Sequence, residues 1–182
     1  MPTPANHSKA EPREPAAELR SRRVTWTDPI VTLQRAAALS REQMLHALKS
    51  GELARPPVAE LIGFDLTDAG DGRAVMELDT GEHQCNPLGI VAGGVAATVL
   101  DAAMWFAVQT AVSETTIVTT TSLTVNFVRA RPAAAGRVQA EAEAVRAGRR
   151  VATAQARLLD HDGHLFAHAT ATFSCANLAT AN

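Results

Sequence analysis

The feature that most restricts this chain is a long segment, Leu88 to Val112, that is apolar on every side and contains the run VAGGVAATVLDAAMWFAVQTAV. A helix without a polar face has to be enclosed, by protein or by lipid. Its length is sufficient for a bilayer. Gly93, Gly94 and Asp101 within it, and the lack of an adjacent basic flank, argue against lipid. The segments around it supply another enclosure.

Arg73 to Thr80 alternates, with Ala74, Met76 and Leu78 on one face and Val75, Glu77 and Asp79 on the other, which predicts a half-buried strand. Ile117 to Arg129 is rich in Thr and Val, and Leu123, Val125 and Phe127 alternate there with Ser122, Thr124 and Asn126. Pro132 closes this strand. The same two-residue period places Val138, Ala140, Ala142 and Ala144 on one face of a third strand, and Ala152, Ala154, Ala156 and Leu158 on one face of a fourth. After the turn His161-Asp162-Gly163-His164, the last strand aligns Leu165, Ala167, Ala169, Ala171 and Phe173. Two-period strands with short connections predict an antiparallel sheet with one buried face. The small side chains on that face and on the apolar segment allow close approach, so the fold class is α+β, a sheet wrapped around one long central helix.

Ahead of this unit, Met1 to Arg23 is polar, proline-interrupted and without period, and is read as a disordered tail. Ser40-Arg41-Glu42-Gln43 forms a capping-box pattern, followed by Met44, Leu45 and Leu48 at helical spacing and then Gly51, which predicts a short amphipathic helix. Pro56 and Pro57 are taken to end it, with Val58 to Phe64 continuing as a turn and strand. The domain reading is therefore a tail over 1–23, a helical extension over 24–57, the sheet-and-helix domain over 58–176 and a short tail over 177–182.

Composition narrows the function classes. A formal charge of −2 gives no electrostatic reason to expect nucleic acid or an anionic membrane as partner. Cys85 and Cys175 are the only cysteines and have no metal-ligand spacing, so they are read as small hydrophobes, with neither a disulfide framework nor a zinc site. The leader has no apolar secretory core, and a cytoplasmic location follows.

His83-Gln-Cys-Asn86-Pro-Leu-Gly89-Ile-Val-Ala92-Gly93-Gly94, followed by Thr98 and Asp101, resembles the signature of the PaaI-like hotdog thioesterases. Thr121-Ser-Leu-Thr-Val-Asn126-Phe-Val-Arg-Ala-Arg-Pro132 and Gly148-Arg-Arg-Val-Ala152 are similar to later parts of that family, and Trp26 to Phe64 is similar to the leader of one bacterial subgroup. The resemblance implies a hotdog fold, hydrolysis of an acyl-CoA thioester without metal or cofactor, and a homodimer or homotetramer. It also implies roles for individual residues. Asn86 matches an Asn that orients the water or the carboxylate, with a turn-capping Asn as the alternative. Ser122 matches a strand hydroxyl near the carboxylate, although the neighbouring Thr119 to Thr121 and Thr124 leave the register open. The chain departs from the pattern at Ala92, where the family has His before Gly-Gly.

The residues support part of this independently. Asp101 is the only charged residue between His83 and Glu114, and burying a carboxylate is costly unless it is hydrogen-bonded or used. It is either a structural or interface carboxylate, or a nucleophile or general base toward the thioester carbonyl. Gly93 and Gly94 lie where the loop turns into the helix, so unpaired N–H groups and the positive helix end meet there, a natural oxyanion site unless the glycines serve packing alone. Eight residues of helix separate Gly93 from Asp101, about 12 Å along the axis. One carbonyl carbon cannot touch both, so a site using both must be shared between subunits. Arg129, Arg131, Arg149 and Arg150 are candidates for the CoA phosphates. Ala92 and Gly94 border the substrate position, and Trp105 and Phe106 are assigned to the acyl pocket or the core. A catalytically weak acyl-CoA binding or accessory protein is the second function class, favoured by Ala92.

Overall fold

The computed structural model describes residues 18–130, 132 and 136–177. Residues 1–17 and 178–182 of the expected tails, and the candidate Arg131, lie outside the described residues.

The extension carries three helices and is taken to run on to Ile62, just before the first strand, rather than to end at Pro57. α1 (Pro29–Ala36) starts at Asp28, whose carboxylate accepts the Ile30 N–H at 2.8 Å, and has Pro29 in its first turn. Periodicity gave no sign of it, and none of its residues is buried. α2 (Arg41–Ser50) has the expected capping box, with the Ser40 hydroxyl accepting from the Gln43 N–H and the Gln43 side chain accepting from the Ser40 N–H. It stops at Gly51, which takes φ 79°, a left-handed conformation suited to glycine.

α3 (Pro57–Ile62) corrects the expectation of a turn and strand after the prolines. A proline at the first helical position loses no hydrogen bond and has its φ preset, so Pro57 starts a helix here rather than ending one.

The sheet has six strands, β1 (Phe64–Gly70), β2 (Arg73–Asp79), β3 (Thr116–Phe127), β4 (Arg137–Ala147), β5 (Val151–Asp160) and β6 (Leu165–Asn177). Their order is β1-β2-β4-β5-β6-β3, and every neighbouring pair is antiparallel. The β1–β2 hairpin turns on Asp71 and Gly72, with φ 47° and 75°, the two left-handed residues that match the twist of a tight hairpin. β1 was not foreseen as a separate strand, because Phe64 to Gly70 has little apolar alternation.

The apolar segment forms α4 (Gly93–Ala111), and all six strands pack against it. Val99, Leu100, Ala103, Met104, Ala107 and Val108 are completely buried, facing the alanines of β4, β5 and β6. Small residues on the sheet allow this approach, and Met76, Leu78 and Phe173 fill the wider gaps. α4 is long and apolar enough to cross a membrane, with mean hydropathy 1.2. Here it is the core helix inside its own sheet.

The two sheet edges differ. β1 is flanked by α2 and α3. β3, 12 residues long, pairs only with β6 among the described strands and leaves its other edge open. Its register shifts between Thr120 and Ser122, and this bulge reverses which side chains face the core.

Candidate active site

α4 is entered through a tight loop. Asn86 organises it, its Oδ1 accepting from the Leu88 N–H at 2.9 Å and from the Ile90 N–H at 3.3 Å, while its own N–H donates to the Ile90 carbonyl at 2.8 Å. Gly89, at φ 72°, makes the turn possible. The loop's exit is fixed by Gln84, a buried polar residue that sequence reasoning did not single out. Its side-chain amide donates to the Ile62 carbonyl at 2.7 Å and accepts from the Gly81 N–H at 2.9 Å, and its backbone carbonyl takes the Ala92 N–H at 2.9 Å.

Ala92 is the N-cap of α4 and has no side chain to cap it. Its carbonyl accepts the Val95 and Ala96 N–H groups, and the N–H groups of Gly93 and Gly94 have no acceptor among the described residues. These are the unpaired donors of a helix start, where the helix dipole is also positive. A Cβ on Gly93 would stand 2.9 Å from Cζ of Phe127, so glycine is what lets this ring lie against the helix start. Beside it is an apolar cavity of about 340 Å³ lined by Gly93, Ala96, Ile90, Phe127 and Phe166, with Arg129 as the charged residue in its wall. Gly94 is exposed.

Two turns further along α4, Asp101 is half-buried and accepts a hydrogen bond from Thr120 Oγ1 at 3.0 Å. Burial pushes its pKa up and the Thr120 hydroxyl pulls it back in part. It lines a different cavity, of about 240 Å³, together with Ala102, Trp105 and Phe106 of α4, with Phe64, Leu66 and Met76 of the sheet, and with Leu48, Arg55, Pro56, Val58 and Ala59 of the extension. Arg55 does not pair with Asp101. Its guanidinium is held by Glu60 at 2.7 Å and Asp65 at 2.6 Å. Trp105 is anchored by its indole N–H on the Val118 carbonyl at 2.9 Å and stands edge-on to Phe106.

Within one protomer, then, Gly93 and Arg129 line one cavity and Asp101 lines another, while Asn86 and Ala92 belong to the loop that leads into Gly93 and line neither. The strand hydroxyl at the carboxylate belongs to Thr120, which corrects the placement of Ser122. Residues directly opposite across a ladder share a face, and Thr120 pairs with the buried Phe173 whereas Ser122 pairs with Thr172. After the bulge, Ser122 joins Thr124, Thr153, Gln155 and Thr170 on the outer face. Arg149 and Arg150 are exposed at the β4–β5 turn and line neither cavity. The Arg150 carbonyl receives the Cys175 N–H, and Cys175 pairs with Val118, nine residues along β3 from Phe127. That is roughly 30 Å of strand, so these two arginines lie at the far end of the sheet from Gly93 of the same protomer.

An antiparallel sheet curled around one long central helix is the hotdog fold. Residues 88–167 match the thioesterase superfamily, and the hotdog domain is similar to PaaI among solved structures. Among solved structures, a conserved protein from Pseudomonas aeruginosa is 28% identical, with 76% of this chain and 100% of that one covered at a TM-score of 0.64. A thioesterase family protein from Silicibacter pomeroyi is 26% identical, with 73% and 98% covered at 0.65. A variant of the phenylacetic acid degradation protein PaaI from Thermus thermophilus is 26% identical, with 65% and 98% covered at 0.59. No curated protein matches the chain.

Proposed function

We propose that this protein hydrolyses an acyl-CoA thioester to the free acid and CoA, in a homo-oligomer whose active sites are shared between protomers. The observation that carries this reading is the separation of the two functional groups. The Gly93 N–H and the Asp101 carboxylate each face an apolar cavity, and about 12 Å of rigid helix keeps them apart. A two-fold axis beside the open edge of β3 would set the Gly93 end of one protomer against the Asp101 region of its partner.

In such a site the Gly93 N–H polarises the thioester carbonyl and holds the oxyanion that forms. Asp101 of the other protomer either attacks the carbonyl carbon or takes a proton from the water that does, and the C–S bond then breaks with the sulfur leaving as CoA thiolate. Thr120 steadies the carboxylate, and Asn86 shapes the loop that presents Gly93. The same antiparallel arrangement carries Arg149 and Arg150 toward the partner's Gly93 end, where with Arg129 they are available to CoA phosphates. The free thiols of Cys85 and Cys175 suit a cytoplasmic protein.

The test is release of CoA from a panel of aliphatic and aryl acyl-CoAs by the protein, by Asp101→Ala and by Ala92→His, alongside sedimentation to fix the oligomeric state. Turnover that collapses in Asp101→Ala is expected. Equal rates for the two would remove Asp101 from the mechanism, and full activity from a monomer would remove the shared site. Ala92 favours a second reading, a pathway accessory that binds acyl-CoA without cleaving it. Saturable binding with no CoA release from any substrate would establish that one instead.

A further inference from the structure

The wall of the Asp101 cavity belongs partly to a region outside the family match. Leu48 comes from α2, Pro56 precedes α3, and Val58 and Ala59 are in it, whereas the match covers residues 88–167. This extension is not loosely attached. Leu45, Ala47, Leu53 and Ala59 are buried, the Arg41 guanidinium donates to the Val112 carbonyl at the end of α4 and the Arg41 backbone N–H to the Glu114 carboxylate, and Gln84 holds the Ile62 carbonyl. The one cation in the wall, Arg55, is occupied by two carboxylates. What remains open to a ligand is apolar on all sides except at Asp101. A phosphate finds no partner there and a polar pantetheine arm finds none besides Asp101, while an acyl chain finds an apolar wall.

We propose that the N-terminal extension is the acyl-size selector of this protein, with Leu48 and Val58 setting the depth of the pocket that opens from Asp101. The proposal rests on the thioesterase reading for the chemistry, and adds the substrate class. A cavity of about 150 Å³ is enough for benzene, so the cavity of about 240 Å³ takes one aromatic ring with a short linker, or a straight acyl chain of about six to eight carbons. Longer chains meet the wall made by α2 and α3. The other apolar cavity, at Gly93, is the competing location for the acyl group, and nothing from the extension lines it.

Two ladders test this together. The first is kcat/KM for straight-chain acyl-CoAs from two to sixteen carbons and for an arylacetyl-CoA, using the protein, Leu48→Ala and Val58→Phe. The readout is the ratio of long-chain to short-chain rates within each variant, which a general loss of folded protein does not move. The second is binding of straight-chain primary alcohols of the same lengths, followed by Trp105 fluorescence in a Trp26→Phe background. Alcohols are chosen because a free acid would set its carboxylate against Asp101.

A maximum near six to eight carbons is expected, with a loss of at least about tenfold by twelve. Leu48→Ala, which removes three carbons from the wall, should move the maximum about two carbons longer, and Val58→Phe should move it shorter. If thioesters are cleaved and neither variant shifts either ladder, the selector is wrong and the thioesterase reading stands. If no thioester is cleaved but the alcohol ladder turns at the same length and follows the variants, the selector stands and the thioesterase reading fails. Absence of any length dependence in both ladders overturns the selector. Should Leu48→Ala not fold, Val58→Phe, at an exposed position, decides alone.

Discussion

The cavity at Gly93 and the cavity at Asp101 lie along one helix, yet they are walled by different parts of the chain and offer opposite chemistry. At Gly93 the wall is sheet and entry loop, and the helix presents unpaired N–H donors with no base in reach. At Asp101 the wall includes the extension, and there is a carboxylate with no free cation and no backbone donor, since mid-helix N–H groups are already bonded. Each would supply half of what the proposed thioester hydrolysis requires. On the proposed reading, a single protomer is chemically incomplete, and completeness is a property of the assembly.

The largest effect should come from removing the base half. Asp101→Ala is expected to lower kcat by about a thousandfold or more, within the span attributed to general acid–base groups, and steady-state CoA release measures it. The donor half can be removed almost as selectively by Gly93→Pro. Proline is tolerated at the first helical position and deletes only the N–H, and Ala92 already has φ −62° and ψ 138°, the extended conformation a residue before proline prefers. Phe127, against which the new ring would press, is 58% exposed and free to turn away. A loss of about 10²- to 10³-fold in kcat is expected, as for one oxyanion donor.

Mixing these two inactive variants tests the division itself. A mixed dimer holds one intact site, made of Gly93 from the Asp101→Ala chain and Asp101 from the Gly93→Pro chain. After subunit exchange at equal amounts, activity should return to about one quarter of the parent level, because half of the dimers are mixed and each has one working site. No recovery, with exchange demonstrated by mass, would place both groups' action within one protomer.

The sequence made one of these halves more legible than the other. The all-round apolar segment, in which Asp101 is the one charged residue, announced the central helix and its two candidate positions, because enclosure is a property of composition and period. The buried faces of β2, β4, β5 and β6 were readable over most of their length, since apolar residues recur there at every second position, although Val145 in β4 and Phe166 in β6 depart from the period. β3 was not, as its bulge at Thr121 inverts the alternation and no local residue marks the inversion in a run of threonines. The hydroxyl at Asp101 was sought at Ser122 on the family resemblance, and the threonine run left the register open. The wall from Leu48 to Ala59 was hidden for a different reason: the capping box located α2, but where a helix docks is a long-range outcome of burial. Gln84 was equally silent, because a lone glutamine in a loop is normally solvated and only the fold brings Ile62 and Gly81 to it.

A smaller effect separates the two strand hydroxyls. Thr120→Val deletes the donor to Asp101, and since that donor opposes the upward push of burial, the carboxyl pKa should rise further. The acid limb of the pH–rate profile should therefore move to higher pH, with a loss of roughly three- to tenfold near the limb, in keeping with one hydrogen bond. Ser122→Ala should change the profile by less than about twofold, as an outer-face substitution. A shifted limb in Ser122→Ala and an unshifted one in Thr120→Val would reverse the assignment.

The smallest effect is on stability, and it asks whether the Asp101 half remains uncompensated in the assembled protein. A carboxyl whose folded pKa lies above its ordinary, unfolded value of 3.8 holds its proton more tightly in the native state. Stability therefore falls as pH rises from the unfolded value through the folded one, and the deficit persists at neutral pH. Asp101→Asn cannot ionise and still accepts the Thr120 hydrogen bond, so it should melt a few degrees above the parent at neutral pH, and the gain should vanish below pH 3.8. Thermal melting at the two pH values measures this. A lower melting temperature for Asp101→Asn at neutral pH would mean that a cation from the partner protomer satisfies the carboxylate, and the two cavities would then differ less than they do within one chain.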